Sequence, residues 1–144
     1  MKSKLDPRHG ARKLALTAVF CWLFSESDDE QCLELSKELL NQNSVDKGLT
    51  LHIVEGVKAH KQEIDDIIAK CAPEWPLDKI SKIDLVILRI AIFEILFSDK
   101  TPDRVAIDES IELAKDFGND TSGKFINGVL GTVVKNYKEE NKND

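Results

Sequence analysis

Side chains suited to covalent or metal chemistry are scarce in this 144-residue chain. Its three cysteines, Cys21, Cys32 and Cys71, form no C-x-x-C pair. An odd count without metal-ligand spacing argues against a disulfide scaffold or zinc ribbon and points to reduced thiols in a cytoplasmic compartment. Cys21 and Cys71 fall within apolar stripes, which gives them structural roles. Histidine occurs only at His9, His52 and His60. On one continuous helix His52 and His60 stand about 12 Å apart along the axis, too far to share a metal. The acidic runs Asp28-Asp29-Glu30 and Asp65-Asp66 read as helix-start charges or solvated faces rather than a carboxylate dyad. No catalytic residue, cofactor or metal site is therefore expected, and the chain does not read as an enzyme.

Long apolar runs are lacking too. The most apolar stretch, Ile83 to Phe97, is interrupted by Asp84, Arg89 and Glu94, so it is no membrane span. Met1 to Lys13 has no apolar core of a signal peptide, and a cytoplasmic protein is expected. Strand-like alternation and internal repeats are also missing.

What the chain does have is helical periodicity from end to end. Ala11, Leu14, Ala15, Ala18, Val19 and Trp22 recur at three- and four-residue steps, predicting a first helix over about residues 9–25. Ser27-Asp28-Asp29 would cap a second, bearing Leu33, Leu39 and Leu40. A third starts near Ser44-Val45-Asp46 and carries Ile53, Val54, Val57, Ile64, Ile67, Ile68 and Cys71. Pro73 and Pro76 end it. A fourth helix, about Asp78 to Phe97, is apolar nearly all round and should be the buried centre. Thr101-Pro102-Asp103 opens a fifth, with Ile107, Ile111, Ala114 and Phe117 on one face and Gly118 as a C-cap. The last carries Ile126, Val129, Leu130, Val133, Val134 and Tyr137. Gly128 and Gly131 inside it cost about 1 kcal/mol each, which close approach of another helix would explain. The sum is an all-α protein: a single domain spanning residues 1–144, with a basic arm over 1–13 and a polar tail over 138–144.

Charge is unevenly spread. Lys2, Lys4, Arg8, Arg12 and Lys13 against Asp6 give the arm +4, so with a chain total of −6 the remainder carries −10. A basic arm on an acidic body marks a polyanion contact or a solvated terminus. The segment FGNDTSGKF (117–125) imitates a phosphate-binding loop through Gly118, Gly123 and Lys124. That motif needs a hydroxyl after the lysine and a strand before the loop. Phe125 follows instead, and a helix precedes, so no nucleotide site is expected.

WPLDKI (75–80), IDLVILRIAIFEIL (83–96), PDRVAIDESIELAKDFG (102–118) and FINGVL (125–130), with the helix around Ala11, Arg12, Ala15 and Leu16, resemble the NusB family of transcription antitermination factors. The ordered set spans nearly the whole chain. The resemblance implies about six to seven helices in two packed bundles. It implies a protein that binds boxA-type single-stranded RNA of ribosomal RNA operons with the ribosomal protein NusE, helping RNA polymerase resist termination. For RNA contact it implies Arg8, His9, Arg12 and Lys13 in the arm, and Ser122, Lys124 and Phe125 before and within the last helix. Phe125 reads equally as a core anchor. For the NusE surface it suggests Phe20, Phe24 and Asp84, which packing or intrahelical charge would also explain. His9 and Gly10 stand where the family often has arginines, Asp108 replaces a common asparagine, and Gly131 a usual aspartate. These departures bear on RNA affinity more than on fold, and a protein-only helical adaptor is the alternative.

Overall fold

The computed structural model describes residues 6–24 and 46–139. The second expected helix, Lys2, Lys4, Cys32 and the end of the polar tail lie outside the described residues. All regular structure among the described residues is helical, in agreement with the all-α expectation. The contacts divide the chain into two compact units, one up to Lys58 and one from Ala59 onward. No helix among the described residues is long and apolar enough to cross a membrane.

In the first unit, α1 runs Pro7–Phe24. It starts two residues earlier than the apolar pattern suggests, because Asp6-Pro7 supplies a start. The Asp6 carboxylate accepts from the Arg8 N–H at 2.9 Å, and Pro7 sits where a missing N–H costs nothing. Ala11, Leu14, Ala15, Leu16 and Val19 are buried. Trp22 departs from the stripe: it is 44% exposed, with Lys58 Nζ 5.1 Å from its ring centroid. The next described helix, α2, is Lys47–Cys71 and continues into the second unit. Asp46 caps it, accepting from the Leu49 N–H at 3.0 Å. Two bonds tie its start to α1: Thr50 Oγ1 donates to the Ala11 carbonyl at 3.0 Å, and the Asp46 N–H to the Pro7 carbonyl at 3.1 Å.

Within the second unit, α2 buries Ile64, Ile67, Ile68 and Cys71 before the prolines end it. The fourth expected helix does not begin at Asp78. Leu77–Lys79 forms a single 3-10 turn, Ile80 turns extended, and α3 spans Lys82–Ile92 behind its N-cap Ser81. The Ser81 hydroxyl accepts from the Asp84 N–H at 3.2 Å, satisfying one orphan donor of the first turn. Every residue of α3 from Asp84 to Ile92 is buried, so it is the central helix expected. It widens into a π-turn over Phe93–Phe97. Then come α4, Asp103–Phe117, and α5, Ser122–Val134, the latter ending in a second π-turn over Lys135–Glu139. The buried face of α4 is carried by Ala106, Leu113 and Ala114 rather than by Ile107, Ile111 and Phe117, which are half-buried or exposed.

Three local expectations change. Asp65 is neither solvated nor a helix-start charge: it is buried and grips Arg89 through Nε–Oδ1 at 2.8 Å and Nη2–Oδ2 at 3.1 Å, with Lys61 at 3.0 Å. Gly128 and Gly131 face open space, since a Cβ built at either meets nothing within 4 Å among the described residues; no close helix approach accounts for them. Cys21 is disulfide-bonded, whereas Cys71 is the free, buried thiol that its apolar stripe suggested. Burial pushes the Cys71 thiol up, with Lys70 acting weakly the other way.

Candidate nucleic-acid interface

The residues suggested for RNA fall into two groups, one in each unit. The first lies on the opening turns of α1. Arg8 is exposed and Lys13 half-buried, so both present charge to solvent. His9 and Arg12 do not: they are 9% and 1% exposed, and both are engaged within the protein. A guanidinium enclosed to that degree contributes to packing and to the local field more than to a direct phosphate contact. Phe20, on the same helix, is half-buried. Phe24 ends α1, and its side chain lies outside the described residues.

The second group surrounds the turn between α4 and α5. That turn is built by Asn119, whose Oδ1 accepts from the Thr121 N–H at 2.9 Å and the Thr121 hydroxyl at 2.8 Å. Ser122 sits beneath it. Its hydroxyl accepts from the Asn119 N–H at 3.0 Å, and the residue is 1% exposed. Ser122 is therefore a brace of the turn rather than a surface group. Gly118 permits this geometry through contact rather than handedness. Its φ is −94°, and an added Cβ would lie 2.5 Å from Ser122 Oγ, 2.7 Å from Ser122 Cβ and 2.8 Å from the Ala114 carbonyl. With Gly123 and Lys124 in the first turn of α5 and α4 before them, the segment is a helix–helix connection and not a strand-to-helix phosphate loop.

A cavity of about 640 Å³ opens beside this turn. Trp75, Lys79, Asp84, Asn119, Lys124 and Phe125 contribute to its lining. Phe125 is half-buried, and its ring meets Trp75 edge to face at 6.2 Å and 74°. Trp75 is 50% exposed, and Lys79 and Lys124 are exposed. Aromatic faces beside two cations suit an unpaired base and its phosphates. Asp84, named for the protein partner, is 7% exposed and lines this cavity. Sequence reasoning missed Trp75, Lys79 and Asn119. Trp75 and Lys79 entered only as members of the WPLDKI motif, without a role in the site.

His60 is a boundary residue: its ring stacks on Phe97 at 4.3 Å, and Nδ1 stands 3.0 Å from Glu63.

A model of the NusB family matches residues 9–135. The "Transcription antitermination protein NusB" of Herpetosiphon aurantiacus is 40% identical over 136 residues, covering 92% of this chain and 93% of that protein. Among solved structures, T. maritima NusB superposes with a TM-score of 0.73 at 35% identity, over 94% of this chain and 93% of that one. The antitermination factors NusB and NusE in complex with dsRNA give a TM-score of 0.76 at 27% identity, over 90% of this chain and 97% of that chain.

Proposed function

The chain belongs to the NusB family, and from that premise we propose that it is an antitermination factor that binds RNA together with NusE. A solved relative is described with NusE in complex with dsRNA, and the likeness to it covers nine-tenths of this chain. The observation that carries the reading to particular residues is the cavity beside the α4–α5 turn, where Trp75 and Phe125 offer π-faces next to Lys79 and Lys124. Stacking platforms of this kind favour unpaired bases over a duplex, whose bases hide their faces. We take that RNA to be the boxA-type single-stranded element of ribosomal RNA operons that the family resemblance implies. Lys124 and Phe125 meet it in the second unit, and Arg8 and Lys13 supply charge from the first. Arg12, His9 and Ser122 hold those groups in place. Phe20, Phe24 and Asp84 remain the candidates for the NusE surface. The protein works as one non-enzymatic domain, in the cytoplasm, within the transcribing RNA polymerase complex.

A transcribing extract of the source bacterium, depleted of this protein, tests the proposal. Readthrough of a terminator placed after a ribosomal RNA leader should fall on depletion and return when the purified protein is added. Readthrough unaffected by depletion would refute the proposal.

A further inference from the structure

The turn between α4 and α5 fixes more than its own shape. A backbone N–H can only donate, so the Asn119 side-chain atom that meets the Thr121 N–H at 2.9 Å is the carbonyl oxygen. The Thr121 hydroxyl at 2.8 Å and the Ser122 hydroxyl at 3.3 Å reach the same oxygen. The amide is planar, so holding Oδ1 on the turn sets Nδ2 on the opposite side. Nδ2 has no hydrogen-bond partner among the described residues, and Asn119 is exposed.

An exposed amide ordinarily rotates freely and spends its donors on water. This one is oriented in advance, so a ligand meets a set pair of N–H donors without the cost of ordering them. Asn119 also lines the cavity that holds Trp75, Phe125, Lys79 and Lys124. Aromatic rings answer to the face of a base, and lysines answer to charge from any direction. A neutral donor of fixed direction answers to an acceptor oxygen. An RNA strand carries such oxygens on its phosphates and on the carbonyl-bearing bases.

We propose that Asn119 is a further RNA-contacting residue of this site, its Nδ2 amino group donating to an acceptor oxygen of the bound strand, a base carbonyl or a phosphate oxygen. The inference rests on the RNA binding proposed above and adds a directional contact to the charge of Lys124 and the ring of Phe125.

Two variants separate the donor from the turn. Asn119→Ser keeps a hydroxyl that accepts from the Thr121 N–H and removes the amino group without adding charge. The φ of Asn119 is not positive, so that substitution meets no backbone penalty. Asn119→Asp keeps the acceptor contacts of the turn and replaces the amino group by an anionic oxygen. The full-length protein and both variants are titrated at low salt, where phosphate contacts are strongest. The probes are fluorescein-labelled oligouridylate and oligoadenylate of equal length, and circular dichroism checks each fold. Asn119→Ser should bind oligouridylate roughly threefold to tenfold more weakly than the wild type, the worth of one neutral hydrogen bond. Asn119→Asp should lose at least as much. A loss confined to oligouridylate assigns the acceptor to a base carbonyl, because adenine has none; an equal loss on both RNAs assigns it to a phosphate. Wild-type affinity in either variant would overturn the inference and leave the RNA proposal standing. For Asn119→Ser it would mean that no contact was removed; for Asn119→Asp it would trace any loss in the other variant to a loosened turn. Unchanged RNA affinity with weakened NusE binding would give the amide to the protein partner and overturn the inference as well. No binding of either RNA by the wild type would overturn both readings.

Discussion

Alanine at two glycines should move stability in opposite directions, and the structure supplies both signs. At Gly118 the backbone is ordinary, with φ −94° and ψ −167°, so any residue adopts it and no handedness penalty arises. The cost is contact alone. A Cβ there sits 2.5 Å and 2.7 Å from Ser122 Oγ and Cβ, and 2.8 Å from a backbone carbonyl that cannot rotate away. Forcing one methyl into such a site costs about 1–3 kcal/mol. The displaced partner is the hydroxyl that accepts from the Asn119 N–H, so the α4–α5 turn should loosen as well. At Gly128 and Gly131, inside α5, the new Cβ meets nothing within 4 Å among the described residues, and the helix gains about 0.8–1 kcal/mol per site from alanine's propensity. Urea denaturation followed by circular dichroism reads both effects, and unchanged m-values show that the surface exposed on unfolding is unchanged. A neutral Gly118→Ala, or a destabilising Gly128→Ala, would show the geometry of the turn and of α5 to be wrong. If Gly128→Ala is stabilising yet weakens RNA or NusE binding, a partner approaches that open face.

Asp65→Ala should cost about 3–5 kcal/mol, because it leaves the Arg89 guanidinium buried and without its bidentate partner; a cost under about 1 kcal/mol in urea melts would remove the pair from any structural role. Phe125→Ala should lose about 1–3 kcal/mol of RNA affinity with little change in the salt slope, since stacking releases no counterions. Affinity that survives the substitution would leave Phe125 to its packing against Trp75. The Cys71 thiol, pushed up by burial, should be largely protonated near neutral pH, and its thiolate should appear only as pH rises further than for an ordinary cysteine. Iodoacetamide should therefore label it far more slowly in the folded protein than in urea, as mass spectrometry would show; equal rates would mean the site is open.

The all-α class and the central helix were legible because periodicity is a local property. Burial of α3 from Asp84 to Ile92 follows from a run apolar on nearly every face. Its start was not legible, since a 3-10 turn and a short extended link share the same apolar spacing as a first helical turn. Asp65 looked solvated because its neighbours in sequence are polar, and its partner Arg89 lies 24 residues further on. The same limit applied to the cavity. Lys124 and Phe125 lie in one motif and Trp75 in another, fifty residues upstream, and only the packing of the second unit brings the rings together. Spacing marked Gly118 correctly as the end of α4 but for a different reason, a close contact with Ser122 rather than a left-handed cap. Arg12 counted as arm charge in the sequence, and its enclosure at 1% exposure appears only in three dimensions.

Binding of boxA-type RNA by the full-length protein, with and without its cognate NusE and against a scrambled RNA of equal length, tests the central claim most directly. The protein alone should bind weakly, because few cations among the described residues are both exposed and grouped. NusE should strengthen binding and favour boxA over the scrambled sequence. With about three to four phosphates neutralised, the log–log salt slope should be roughly −2 to −3. Binding of boxA no tighter than the scrambled RNA in the presence of NusE would contradict the account and leave a protein-only helical adaptor in its place.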